Sequence, residues 1–306
     1  MNIVLTGATG FIGRSLARRL AARGDTVTAL TRNVEQARSH LPKEITVFEW
    51  RPPAPSPGWA KIVAESDAVV NLAGEPIADR RWSAAQKAKI HQSRVDATAA
   101  IVSAMGESSQ RQPVLVNGSA IGYYGPRGSD EITETTGPGD DFLAGVVVAW
   151  EAAALAAEAH GARVVLIRTG LVLGTDGGAL PRLLLPFKLF SGGLVGPAHQ
   201  WVSWVHIDDE LELIVTALDN QAFSGPINAT APNPVTMREF SRAIGAVLHR
   251  PVWAPGLPVA MKLVLGERTE VVFASQRVLP MRAEDLGFQF AHPVIGEALT
   301  SLLARG

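Results

Sequence analysis

The chain has 306 residues, 47% of them hydrophobic, with 28 Lys and Arg against 29 Asp and Glu. That length supports a full α/β domain plus a smaller appended lobe. The near-zero charge balance provides no bulk field for nucleic acid or an acidic lipid surface, so neither is expected as a partner. Cysteine is absent, which excludes disulfides, thiolate metal sites and a cysteine nucleophile.

The N-terminus enters a strand-like Asn2-Ile3-Val4-Leu5 directly, without the basic start and longer apolar stretch of a secretory leader. No uncharged apolar run approaches the ~20 residues of a membrane span. A soluble, cytoplasmic protein with no membrane partner is the expectation. In chain order, short β-branched runs at 3–5, 26–30, 45–48, 68–72, 114–117 and 164–167 predict strands, and stretches at 13–22, 83–105 and 142–159 predict helices. Continuous apolar strands alternating with helices indicate a parallel sheet covered on both faces. Ser83 with Gln86 three residues on predicts a capping box at the start of the long helix. The proline-rich 51–58 reads as a surface crossing. The fold class is therefore α/β, a Rossmann-like doubly wound parallel sheet over residues 1–175, completed by part of 200–230. Residues 176–306 form a smaller C-terminal α/β lobe that contributes to the substrate side.

The decisive local motif is Thr6-Gly7-Ala8-Thr9-Gly10-Phe11-Ile12-Gly13, between the first strand and the first helix. Glycines at 7, 10 and 13 permit a tight turn, close approach of a pyrophosphate and close packing of helix on sheet. The helix N-terminus then offers unpaired N–H groups to the phosphates. Phe11 and Ile12 are expected to point into the core behind the turn. The second strand ends in Ala29-Leu30-Thr31-Arg32-Asn33, without the acid that reads a ribose 2′-hydroxyl. Arg32 suits a 2′-phosphate instead, through a forked pair of charge-assisted bonds, so NADP(H) is the expected cofactor. Leu72, Ala73 and Gly74 end the fourth strand where a dinucleotide lies against the backbone, and Arg168 and Thr169 end a later strand on the nicotinamide side.

These landmarks, with Trp204-Val205-His206-Ile207-Asp208-Asp209, resemble those of extended short-chain dehydrogenases. More narrowly, Asn71-Leu72-Ala73-Gly74-Glu75-Pro76-Ile77-Ala78 followed by Arg81-Trp82 is similar to the atypical "epimerase family" of YfcH-type proteins. Gly118-Ser119-Ala120-Ile121-Gly122-Tyr123-Tyr124-Gly125, Ser275-Gln276-Arg277-Val278-Leu279-Pro280 and Leu286-Gly287-Phe288 fit the same family. The resemblance covers essentially the whole chain. It implies a Rossmann-like domain, an NADP-type cofactor, a sugar-nucleotide-like small-molecule substrate, and a family-specific C-terminal segment at about 250–306 of unknown role.

One departure bears on chemistry. The Tyr and Lys that short-chain dehydrogenases carry on the helix after the catalytic Ser fall here on Leu143 and Val147, which hold no proton. Ser119 and Tyr124, after the fifth strand, are the candidates for proton transfer and substrate orientation, and Glu75 is the next. The alternative for Tyr124 is a packing residue with a bonded hydroxyl, and for Glu75 a surface loop. Arg94 could bind an anionic substrate group, and Arg94 or Arg168 could lower the pKa of the phenol. His206 is expected to cap the following helix. No His, Asp and Glu spacing suggests a metal. Three functions stay open: an NADP-dependent oxidoreductase or epimerase, an NADP(H)-binding sensor or regulator that does not turn over, and a structural partner protein that the nucleotide merely stabilises.

Overall fold

The computed structural model describes residues 1–53, 57–77, 80–107, 113–188, 197–252 and 274–304. Seven strands form the main sheet: β1 (Asn2–Thr6), β2 (Thr26–Thr31), β3 (Thr46–Glu49), β4 (Ala68–Asn71), β5 (Val114–Ala120), β7 (Arg163–Thr169) and β11 (Gly225–Ala229). Their order across the sheet is β3-β2-β1-β4-β5-β7-β11, and every neighbouring pair is parallel. The winding reverses between β1 and β4, and the crevice outside the carboxyl ends of those two strands is where open α/β sheets bind ligands. All six strands expected from the sequence are present. The seventh, β11, lies within the 200–230 stretch expected to complete the sheet; its Gly225-Pro226 start hides the strand pattern, and Pro is tolerated because β11 is an edge.

Side chains alternate between the two faces of the sheet. Ile3 and Leu5 enter a core with Leu16 and Leu20 of α1 (Phe11–Ala22) and Leu213 and Ile214 of α7 (Ile207–Asp219). Val4, Val69 and Leu115 enter the opposite core with Val63 of α3 (Pro57–Ala64), Ile101 of α4 (Ala84–Met105) and Ala154 of α5 (Phe142–Leu155). Helix α3 corrects the reading of 51–58 as a plain crossing. Pro57 opens that helix, where its missing N–H is one the first turn leaves unbonded anyway. Residues 54–56 of that stretch lie outside the described residues. The capping box at Ser83 is half formed: Ser83 Oγ accepts from the Gln86 amide, while the Gln86 side chain turns to Glu75 instead of back to the cap. The segment Phe142–His160 is long and apolar enough to cross a membrane by length and composition. Here its Val146, Val147, Trp150 and Ala154 are buried within the protein.

Beyond β7 the chain runs into β8 (Leu171–Leu173), which pairs with β10 (Trp204–His206). Helices α6 (Leu180–Lys188), α8 (Met237–Leu248) and α10 (Ile295–Leu303) close a third core around Trp204, Phe187, Phe240 and Leu299. Thr236 and Glu239 make a full capping box on α8. Much of the expected C-terminal segment, residues 253–273, lies outside the described residues.

Candidate functional site

The glycine turn sits at the carboxyl end of β1. Gly7 has φ +68°, and a Cβ there would stand 2.5 Å from the Leu72 carbonyl oxygen; a Cβ on Gly13 would strike the Gly7 carbonyl. These two glycines are required for the turn itself. Gly10 differs: it is the N-cap of α1 in extended conformation, and an added Cβ meets only the Gly7 carbonyl oxygen, at 3.2 Å. Its outer side is open, at a helix N-terminus of the kind whose amides can meet an anion. Phe11 does not enter the core behind the turn as expected; its ring packs on Gly174, Gly177 and Gly178 after β8. Ile12 does pack against the α1 side of the core. Arg14 reinforces the link to that loop by donating to the Asp176 carbonyl.

Arg32 follows β2 directly, and its carbonyl accepts from Arg51 Nη2. Glu75, beyond Gly74, is buried and pairs with Lys89 at 3.1 Å. Burial opposes its ionisation, but the bonds from Lys89 and Gln86 and the charge of Arg32 hold its carboxyl below the ordinary value. Glu75 thus belongs to a charged cluster on the Arg32 side of the cleft. It does not join Ser119 and Tyr124. Ala78, at the end of the same motif, lies outside the described residues.

Below the turn, a buried polar chain ties the strand ends together. Thr6 donates to Asn71 Oδ1, Asn71 Nδ2 donates to Asn117 and Thr98, and Trp150 donates to Thr98. Thr6 Oγ1 also accepts from the Ala73 amide. Every member has a partner, so the network fixes the relative heights of β1, β4 and β5 without an uncompensated group.

A second network forms the floor beneath the ends of β5 and β7. Leu143, Val147 and Glu151 lie one turn apart along the same side of α5, so the ionisable group falls one turn beyond the positions expected for Tyr and Lys. Arg168 meets Glu151 side-on, with Nε to Oε1 and Nη2 to Oε2 both at 2.8 Å. Burial alone would lower the pKa of this guanidinium, but the bonds and charge of Glu151 raise it. Ser119 donates to Glu151 Oε1 at 2.5 Å. Tyr124 Oη accepts from Arg168 Nη1 and donates to Asn228 Oδ1. Tyr123 lies flat against the guanidinium, 3.5 Å from Cζ to the ring centre.

The structure therefore brings Ser119, Tyr124 and Arg168 together. Arg168 is buried and not solvated. Tyr124 is fully enclosed, and the cation that was expected to draw its phenol toward neutrality does not prevail. Burial dominates and pushes the phenol up to about 12. Ser119 has its single proton committed to Glu151, so its Oγ faces any ligand as an acceptor.

The sequence of residues 3–229 matches the family described as NAD dependent epimerase/dehydratase. The chain belongs to the NAD-dependent epimerase/dehydratase family. Residues 258–302 match a second family, a domain of unknown function designated DUF1731. The Arabidopsis thaliana protein named epimerase family protein SDR39U1 homolog, chloroplastic, is 43% identical over 305 residues, 99% of this chain and 87% of that protein. A crystal structure of the human epimerase family protein SDR39U1 with NADPH superposes with a TM-score of 0.86 at 31% identity, covering 100% of both chains. A Corynebacterium glutamicum structure named as a nucleoside-diphosphate sugar epimerase superposes at 0.79 with 34% identity, over 100% of this chain and 58% of that one.

Within this epimerase-family frame, the sequence reading missed Glu151, Asn228 and Glu210. Glu151 did carry a signal, as the single charged residue in the otherwise apolar α5. Glu210 is wholly buried in the first turn of α7. Its Oε1 accepts from Thr169 at 2.8 Å, its Oε2 has no partner, and burial pushes its carboxyl up to about 7.

His206 caps α7 as expected, its Nδ1 accepting from the Asp208 amide. Folding brings His292 to His206 and Asp208, a trio whose distance in sequence hid it. The two imidazole rings stack at 3.7 Å with planes 26° apart. Both ring nitrogens of His206 already have partners, Nδ1 with the Asp208 amide and Nε2 with the Ser301 hydroxyl.

Proposed function

We propose that this epimerase-family chain binds NADP(H) and acts as an oxidoreductase or epimerase on a small polar, sugar-nucleotide-like substrate. The observation that carries the reading is the turn after β1, tight at Gly7 and Gly13 but open outward at Gly10. Gly7, Thr9, Gly10, Phe11, Ile12 and Gly13 would hold the pyrophosphate, and Arg32 the 2′-phosphate. Leu72, Ala73 and Gly74 would lie along the adenosine half, with Arg168 and Thr169 toward the nicotinamide half. Two likenesses support this: the human relative was crystallised with NADPH, and the similar Corynebacterium protein is named a sugar epimerase. Residues 176–306 would supply the substrate side. The compartment proposed is the cytoplasm, whereas the plant relative is named chloroplastic.

When bound, the cofactor supplies or accepts a hydride. The chain's own part is to position and to manage a proton. Ser119 and Glu151 share the proton nearest the end of β5, with Arg168 fixing the carboxylate and Tyr124 fixing Arg168. Glu75 serves the adenosine side through its neighbour Arg32. A second reading is favoured by the apolar Leu143 and Val147 and the sealed Tyr124: an NADP(H)-binding sensor without turnover.

The test begins with mass spectrometry of nucleotide released from purified protein and a fluorescence titration with NADPH. A screen of NADP(H) redox change and of epimer formation with UDP-sugars follows. Absence of NADP(H) affinity ends both readings. Tight NADP(H) binding with no conversion transfers the conclusion to the sensor.

A further inference from the structure

Arg94 is a cation at the strand ends with no carboxylate in ion-pair contact among the described residues. It reaches from α4 to lie against Gly74, so closely that a Cβ there would stand 3.0–3.2 Å from its guanidinium. The indole of Trp150 lies near, 5.1 Å from Cζ to the ring centre. Nη1 donates to the carbonyls of Glu75 and Ile90 at 3.0 and 3.1 Å, which ties the loop after β4 to the helix. The Glu75 carboxylate attracts Arg94 through space but is itself paired with Lys89. Burial outweighs that attraction and pushes the guanidinium down to about 10.

The unfilled part has a definite shape. Among the described residues Nε and Nη2 of Arg94 have no acceptor, and neither is among the partnerless atoms sealed from solvent. In Arg168 the same Nε–Nη2 edge is occupied by both oxygens of Glu151. That edge matches the paired oxygens of a carboxylate or phosphate. Gly74, without a side chain, lets the guanidinium lie against the backbone at the strand ends where open α/β sheets take their ligands.

We propose that the Nε–Nη2 edge of Arg94 is an anion-binding subsite that takes a carboxylate or phosphate oxygen pair from the bound ligand. This sharpens the substrate class in the reading above from polar to anionic, and it rests on that reading only for which ligand brings the anion. The two sources are an acidic group of the substrate and the pyrophosphate of the cofactor.

The experiment uses the full chain, both cofactor-free and loaded with NADPH, at constant ionic strength. Inorganic phosphate and malonate are titrated while the ¹⁵N Nε–H resonance of Arg94 is followed by NMR. Calorimetry repeats the titrations on wild type and Arg94→Lys, which keeps the charge and one donor but loses the fork. Saturable anion binding to loaded protein that moves the Arg94 resonance, weakened about tenfold in Arg94→Lys, supports the subsite with the substrate as source. Anion binding confined to cofactor-free protein, with NADPH affinity also falling about tenfold in the variant, supports it with the cofactor as source. An Arg94 resonance unmoved by either anion, or equal anion affinity in the two proteins, overturns it and leaves Arg94 as a loop tie. The wild-type resonance decides the matter if Arg94→Lys does not fold. The cofactor-free arm decides it even if the protein binds no NADP(H), so the two failures are distinguishable.

Discussion

Replacing Glu210 with Gln should change the pH dependence of stability in a defined direction. Glu210 is 1% exposed, with one carboxylate oxygen bonded to Thr169 and the other without a partner. Burial raises its carboxyl from 4.5 to about 7. The folded chain therefore keeps a proton that the unfolded chain releases above pH 4.5. Folding binds protons in that window, so stability falls as pH rises through it and levels off above the folded-state value. At about 1.4 kcal/mol per unit, the rise from 4.5 to about 7 corresponds to about 3 kcal/mol lost by the wild type between those limits. The amide of Glu210→Gln does not titrate. Leaving its N–H unpaired costs a fixed ~1–3 kcal/mol, which offsets the curve without tilting it. Urea unfolding of both proteins at several pH values from 5 to 8 gives the difference directly. Asp209 and Glu134, whose carboxyls are also raised by burial, are common to both and cancel. The variant should gain on the wild type across the range by most of that 3 kcal/mol. A difference that stays flat within about 1 kcal/mol would show that Glu210 carries its charge in the folded state at low pH as well, and the argument from burial would fail.

Further perturbations address the cofactor cradle and the floor. Gly10→Val should leave circular dichroism unchanged, because the position is extended and a Cβ meets only one atom, yet abolish NADPH binding in a fluorescence titration; unchanged affinity would place the phosphates elsewhere. Arg32→Ala should cost about 1–3 kcal/mol in NADP(H) affinity, the scale of a lost charge-assisted bond, with little effect on NAD(H); calorimetry showing equal wild-type affinity for both would sink the 2′-phosphate assignment. Glu151→Gln strands the buried Arg168 and should destabilise by about 3–5 kcal/mol, whereas Glu151→Leu combined with Arg168→Met should recover much of that in chemical denaturation. If the single and double variants are equally unstable, the ion pair is not the source of the loss.

What the sequence made legible was what local spacing encodes. The glycines at 7, 10 and 13 fall between a strand and a helix, and the apolar runs of β1, β2, β3, β4, β5 and β7 alternate with helices, so the sheet and its glycine turn can be read from periodicity and turn chemistry alone. The same is true of Ser83 and His206, whose capping roles depend on neighbours two or three residues away. The floor of the site obeys no such rule. Ser119, Glu151, Arg168 and Asn228 come from four different elements, and only the parallel registry of β5, β7 and β11 aligns them. For Tyr124, residue type and spacing suggest an acid after the fifth strand, while its enclosure, which raises the phenol's pKa, is visible only in the fold. Glu75 has its place in the motif visible in the same way, while its pairing with Lys89 depends on how α4 returns past the loop.

The contact between Phe11 and the glycines at 174, 177 and 178 joins two functions in one side chain. A Cβ on any of the three would press on the ring at 2.5–3.0 Å, so the fit tolerates almost no slack. Phe11 is also the first residue of α1, whose amides are proposed to meet the phosphates. An occupant of the far lobe that, by shifting this loop on the ring, strengthens the grip on the dinucleotide does so by some factor. By thermodynamic reciprocity the dinucleotide then strengthens that occupant's hold by the same factor. Enlarging Gly177 would therefore report on communication between the two halves of the molecule: two ligands that each bind their own half would lose their mutual preference together.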